Sequence, residues 1–138
     1  MRVLLDTNVV LDAILIREPN IESVKIIFKS IYSEQISGEI TANSITDIYY
    51  ISQKRLGSEE TRRLIYELLM AFYIVSVGEE ECLTAIKSEM PDFEDAIVVA
   101  CAVKDDVDYI ITNDIEFQAT KFSNIPILSS NAFVKEFL

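Results

Sequence analysis

The sequence predicts an α/β fold, a short parallel sheet covered by helices on both faces. Short apolar runs rich in β-branched or aromatic residues recur along it: Val3 to Leu5, Phe72 to Val77, Tyr109 to Ile111 and Pro126 to Leu128. Longer segments with helical apolar spacing lie between them. Strands alternating with helices call for parallel pairing and right-handed crossovers. Half of the 138 residues are hydrophobic, and Gly and Pro number only three each. That composition suits one packed domain over residues 1 to 138, with no internal repeat or low-complexity tract.

Taken in order, Val3-Leu4-Leu5 reads as a strand buried on both faces, ended by Asp6. Helical spacing follows at once through Val9, Val10, Ala13 and Ile14, to about Ile16. After the turn residues Pro19 and Asn20, an amphipathic helix is expected over about residues 21 to 35, stopped by Gly38. Glu39 to Thr41 fits a very short strand. Asn43 or Ser44 is placed to cap a third helix, which ends at Gly57. Ser58 opens a fourth, carrying Leu64, Ile65, Leu68 and Leu69. After the strand ending near Val77, Glu79 to Met90 reads as helix with Cys82, Leu83 and Ile86 inward. Pro91-Asp92 starts the next helix, which runs to about Lys104. Thr112-Asn113-Asp114 is the turn after the Tyr109 to Ile111 strand, and Asn131 is placed to cap a last helix to Leu138.

Composition narrows the chemistry. With no histidine, Ser-His and Cys-His nucleophile pairs and a histidine general base are excluded. Cys82 and Cys101 sit among apolar neighbours in helical patterns and are expected as buried thiols; without histidine they cannot build an ordinary zinc site. The longest apolar run, Ala96 to Val103, is far too short to span a bilayer. Asp6 and Asp12 interrupt the amino-terminal apolar segment, which argues against a signal peptide. A cytoplasmic protein is expected. Asp and Glu number 23 against 12 Lys and Arg, a net charge of −11, which repels nucleic acid unless cations intervene. Carboxylates gathered in one cleft would bind a hard divalent cation through oxygen.

Particular acids suggest such a cleft. Asp6 stands at the carboxyl end of a buried strand, where open α/β sheets place ligand groups, and helix capping accounts for it equally. Asp114 repeats that arrangement after the Tyr109 to Ile111 strand, and there turn chemistry is the alternative. Asp47 lies within the third helix, where aspartate is a poor helix former, and simple solvent exposure accounts for it equally. Asp92 and Asp95, three apart at a helix start, share one face and suit the helix dipole.

In order, Leu-Leu-Asp-Thr-Asn, Ile-Thr-Asp-Ile-Tyr-Tyr, Asp-Phe-Glu-Asp-Ala and Ile-Thr-Asn-Asp-Ile-Glu-Phe resemble the PIN-domain family of metal-dependent ribonucleases. The resemblance covers essentially the whole chain, including the closing Ile-Pro-Ile-Leu-Ser. It implies a PIN-like three-layer α/β/α fold and carries the family's acids onto Asp6, Asp47, Asp95 and Asp114. The second family acid is usually a glutamate, and Asp47 is one methylene shorter. Asn8 resembles the polar residue supporting the first acid, and Asp92 matches a recurrent acid near the site. Asn113 is read as turn chemistry.

The resemblance implies one or two Mg²⁺ or Mn²⁺ ions on these carboxylates and hydrolysis of RNA to a 5′-phosphate and a 3′-hydroxyl. It also implies the toxin of a VapC-type toxin–antitoxin pair, commonly a homodimer, with a cognate antitoxin blocking the site. The competing reading is a PIN-like scaffold that binds RNA or a protein without turnover. A response-regulator receiver domain would need adjacent acids after its first strand, and Val3-Leu4-Leu5-Asp6-Thr7 lacks them. Lys54, Arg55, Arg62 and Arg63 cluster around Gly57, either as a solvated helix hairpin or as contacts to RNA phosphates.

Overall fold

The middle strand of an all-parallel, five-stranded sheet is β1 (Arg2–Leu5) in the computed structural model, which describes Met1–Leu138. The chain continues through α1 (Thr7–Ile14), α2 (Ile21–Tyr32), β2 (Ser37–Thr41), α3 (Ala42–Leu56), α4 (Ser58–Ala71) and β3 (Tyr73–Val75). It then forms α5 (Glu79–Lys87), α6 (Phe93–Asp105), β4 (Tyr109–Ile111), α7 (Ile115–Gln118), β5 (Ile127–Leu128) and α8 (Ser130–Phe137). The strand order is β3-β2-β1-β4-β5, with Leu4 beside Glu39 and Leu5 beside Ile111. The chain builds outward from β1 on one side, then returns to build outward on the other. The point of reversal lies between β1 and β4, and ligand crevices form there, outside the carboxyl ends of the strands.

Successive strand residues point to opposite faces, so β1 serves two cores. Val3 and Leu5 pack with Val9, Val10, Val24, Ile27, Ile48, Leu68 and Phe133, drawn from α1, α2, α3, α4 and α8. Leu4 packs the other way, with Val75, Ala85, Ile97, Val98, Cys101, Ile110 and Phe117 under α5 and α6. This is the expected three-layer α/β/α arrangement, and it explains why the strands read as continuous apolar runs.

Several local expectations fail for physical reasons. Gly38 does not stop a helix: α2 ends at Tyr32, and Gly38 is the second residue of β2. It faces the first core, where a Cβ would lie 2.6 Å from Ile31 Cδ1 and 2.8 Å from the Phe72 ring. Gly38→Ala is therefore expected to lower stability by about 1–3 kcal/mol through overpacking, read as an earlier denaturation midpoint at unchanged slope.

Cys101 is buried, as expected, but Cys82 is exposed. Leu83 and Ile86 also face solvent, because α5 turns Glu81 and Ala85 inward instead. Glu81 pairs with Lys104 of α6 and accepts from the Gly78 N–H, which fixes that rotation. Thr41 rather than Asn43 or Ser44 stands at the N-cap of α3; its hydroxyl is spent on Ser44 Oγ, 2.7 Å away. Ser129 rather than Asn131 caps α8, accepting from the Ala132 N–H. The short helix α7 was not expected.

The amino-terminal end of the sheet holds a buried charge. Glu39 lies between Leu4 and Tyr73 and is only 1% exposed. Arg2 reaches over from β1 and donates from Nε (2.9 Å) and Nη2 (2.6 Å) to Glu39 Oε1, and from Nη1 to the Asp105 carbonyl (2.6 Å). Glu39 Oε2 has no partner. One guanidinium thus ties β1, β2 and the end of α6 together.

Candidate active site

Asp6 follows β1 and is the N-cap of α1, accepting from the Thr7 N–H at 2.8 Å. Its other oxygen accepts from Thr112 Oγ1 at 2.7 Å and from Asn8 Nδ2 at 2.9 Å. Only 6% of Asp6 is exposed. Burial raises its pKa, opposed by the Thr112, Thr7 and Asn8 hydrogen bonds, while the charge of Asp114 adds to the rise. Asp6 therefore serves as the cap that the sequence suggested and also faces a cleft. The two readings do not compete.

That cleft, of about 400 Å³, is lined by Asp6, Asn8, Asp47, Asp92, Asp95 and Asp114, together with Thr7, Leu11, Ile51 and Glu94. All four acids singled out in the sequence share it, as do Asn8 and Asp92. Asp114 arrives from β4, next to β1 in the sheet, and caps α7 by accepting from the Glu116 N–H at 2.9 Å. Asp92 caps α6 by accepting from the Asp95 N–H at 2.9 Å. Asp95 projects from the first turn of α6, and Asp47 from the exposed side of α3. Burial and the charges of Asp92, Asp6, Asp114 and Glu94 push the Asp95 carboxyl up to about 7.

Glu94 was missed. It stands across from Asp47, and its carboxyl is raised by burial, then by a hydrogen bond shared with Asp47 and by Asp47's charge. The signal was present in Asp-Phe-Glu-Asp, but an exposed glutamate in the first turn of a helix reads as dipole compensation. Thr112 was also missed, because a threonine hydroxyl announces nothing until its partner is known.

Asn113 does more than turn the chain. Its Oδ1 accepts from Ser130 N and Oγ at 3.0 and 2.9 Å, and its Nδ2 donates to buried Asp12 at 3.0 Å. Its backbone N–H donates to Asn8 Oδ1 at 3.2 Å. The turn carrying Asp114 is thereby pinned to α1 and α8.

No cation side chain lines the cleft. Crowded carboxylate oxygens are the donor set of a hard divalent cation, so the residues fit Mg²⁺ or Mn²⁺ by charge and ligand type. As the side chains lie, no three of them converge to hold one ion. Asp47, Glu94 and Asp114 are exposed, whereas Asp6 is buried and held by three hydrogen bonds.

Arg63 departs from the expected basic cluster: it donates to Glu60 and Glu67 on its own helix. Arg62 lies 5.9 Å over the Tyr49 ring, and Lys54 and Arg55 are exposed at the end of α3.

A family model for the PIN domain matches residues 2–116. The chain belongs to the PIN-domain family. Solved structures share the fold over nearly the whole PIN domain. A chain of the DNA-bound VapBC complex from Salmonella typhimurium is 16% identical, with TM-score 0.72 over 94% of this chain and 98% of that one. VapC20 of Mycobacterium tuberculosis, a sarcin-ricin-loop-cleaving toxin, is 14% identical, with TM-score 0.70 over 90% of this chain and 98% of that one. A chain of the DNA-bound VapBC2 complex from Rickettsia felis is 15% identical, with TM-score 0.69 over 94% and 98%. No curated protein matches this PIN domain in sequence. None of its helices is long and apolar enough to cross a membrane.

Proposed function

We propose that this PIN domain is a divalent-metal-dependent endoribonuclease, and that it acts as the toxin of a toxin–antitoxin pair. The observation that carries the reading is the cleft at the β1/β4 reversal point, lined by Asp6, Asp47, Asp95 and Asp114 in a chain without histidine. Asp6, Asp95 and Asp114 are assigned as ligands of Mg²⁺ or Mn²⁺, and Asp47 completes the set from α3. A bound divalent cation would supply an acidified water and offset the charge on the leaving oxygen.

The chain's own residues do the positioning. Thr112, Asn8 and the Thr7 N–H hold Asp6 in a single orientation. Asp92 fixes the start of α6 and so the place of Asp95, while Asn113 fixes the turn bearing Asp114. The bond from phosphorus to the 3′-oxygen breaks and one from water oxygen forms, leaving a 5′-phosphate and a 3′-hydroxyl. The matched VapBC complexes support a cognate antitoxin as partner, and a homodimer and a cytoplasmic place belong to the same proposal.

The test is cleavage of a single-stranded RNA, or of a structured RNA at a single-stranded loop, followed by gel with end-group analysis. Cleavage with Mg²⁺ or Mn²⁺, none in excess EDTA, and 5′-phosphate ends are expected. Full activity in EDTA would defeat the proposal. RNA binding with no turnover under either metal would favour the scaffold reading, in which the short Asp47 side chain has disabled catalysis.

A further inference from the structure

The face of α3 beside the acid cleft carries an unusual sequence of side chains. Asp47 and Ile51 line the cleft. Tyr50, Ile51 and Lys54 follow Asp47 at three, four and seven residues, so they continue its face along the helix. Tyr50 is 61% exposed, with its ring edge-on to Tyr49 and its other side open to solvent. Lys54 lies about 10 Å along the axis from Asp47, at 1.5 Å per residue. Arg55 follows it, whereas Arg62 of α4 packs over Tyr49, which points to the other side of α3 from Asp47. Lys54 and Arg55 form no ion pair in a chain of net charge −11, whereas Arg63 is engaged by Glu60 and Glu67.

An exposed aromatic ring next to unpaired cations is how proteins hold a single nucleic-acid strand: bases stack on the ring, and the cations follow the backbone. A duplex offers no free base face to such a ring. A cleft of carboxylates next door supplies no attraction of its own for phosphate, so affinity must come from beside it. We propose that this face of α3 is the track for a single RNA strand: Tyr50 stacks an unpaired base next to the scissile phosphate, and Lys54 and Arg55 bind phosphates further along. The inference rests on the ribonuclease reading and adds to it the residue that stacks the unpaired base, Tyr50, and a direction in which the strand leaves the cleft. It also removes Arg62 and Arg63 from the RNA contacts.

The test uses the full chain and a fluorescein-labelled single-stranded RNA of about ten nucleotides, within the range such grooves cover. Anisotropy is measured over a salt series with Ca²⁺ as the cation. Tyr50→Ala is expected to weaken binding about ten-fold without changing the salt slope, while Tyr50→Phe restores affinity because the ring is what stacks. Lys54→Ala with Arg55→Ala should flatten the slope by about 1.4, the loss of two single-strand phosphate contacts. Arg63→Ala should match wild type. All four positions are exposed, so unchanged circular dichroism and sedimentation are expected.

If wild type cleaves RNA but Tyr50→Ala and the double variant bind as tightly as wild type, this inference fails and the ribonuclease reading stands. If wild type neither binds nor cleaves RNA, both fail. If the variants lose self-association or antitoxin binding with RNA affinity unchanged, the face belongs to a protein interface and the RNA track is overturned.

Discussion

Asp95→Asn is expected to abolish RNA cleavage and, at the same time, to raise the melting temperature of the metal-free protein. The carboxyl is raised from 3.8 to about 7 by burial and by four neighbouring carboxylates, so its ionised form strains the fold. Cleavage should fall by at least about 100-fold, since removing only a supporting contact of a metal ligand typically costs about 10–100-fold. Asp95 is only half-buried, and after allowance for solvent screening the relief of charge is about 1–2 kcal/mol, or about 3–8 °C.

The sign follows from proton binding. Because the folded pKa is raised, the folded state binds more protons than the unfolded one between about 4 and 7. Metal-free wild type therefore loses stability as pH rises through that window and has lost it fully above about 7. The Asn variant lacks this contribution, so its advantage is largest above pH 7 and vanishes near pH 4. Mg²⁺ should stabilise wild type most at the alkaline end, where it meets an ionised site, and should stabilise the variant less. Calorimetry at a series of pH values, with and without Mg²⁺, measures each part. A variant less stable than wild type at every pH would make Asp95 a structural residue.

Asp6→Asn is expected to part company with it. Cleavage should be lost equally, but Asp6 accepts three hydrogen bonds, from Thr7, Asn8 and Thr112. An asparagine turns one acceptor into a donor that faces donors. Stability should fall by about 1–3 kcal/mol. The charge argument alone, applied to both acids from the sequence, would have both variants at least as stable as wild type; the hydrogen bonds reverse it for Asp6.

Arg2→Met should be strongly destabilising although Arg2 is partly exposed. It leaves Glu39 buried between two strands without its cation, and breaking such a pair costs about 3–5 kcal/mol. Because the Arg2 side chain is 44% exposed and water can partly replace it, about 3 kcal/mol is expected, a fall in melting temperature of about 10 °C. Burial already raises the Glu39 pKa, and Arg2 is what opposes that rise. Without Arg2 the rise is larger, so the variant should recover stability as pH falls and Glu39 takes up a proton. Replacing both residues, Arg2→Met with Glu39→Leu, should recover most of the loss, since no charge is then left buried. Chemical denaturation of the two single variants and the double variant closes the cycle. An additive double variant would show that the pair is not coupled.

The sequence was strong wherever a feature depends on local order. β1, β4 and the buried Ala96 to Ala102 stretch of α6 follow from apolar runs and helical spacing, and the parallel sheet follows from their alternation. The acids at the ends of β1 and β4 were legible because a carboxylate directly after a buried strand contradicts strand propensity. The motif order around Asp6, Asp47, Asp95 and Asp114 was enough to suggest the family.

What only the tertiary structure decided are the relations between residues far apart in the chain, since spacing along one segment says nothing about what another segment brings to it. Gly38 resembles a helix stop until Ile31 and Phe72 are seen against its α-carbon. Leu83 and Ile86 look like core until the Glu81–Lys104 pair fixes how α5 is rotated. Asp12 looks like an interruption until Asn20 and Asn113 are found donating to it. Glu94 reads as dipole compensation until α3 is seen to bring Asp47 opposite it. Local sequence sets the periodicity and chemistry of each element. The partner of a buried or charged group is fixed by packing, and that partner decides whether the group braces the fold, binds a ligand or is neutralised.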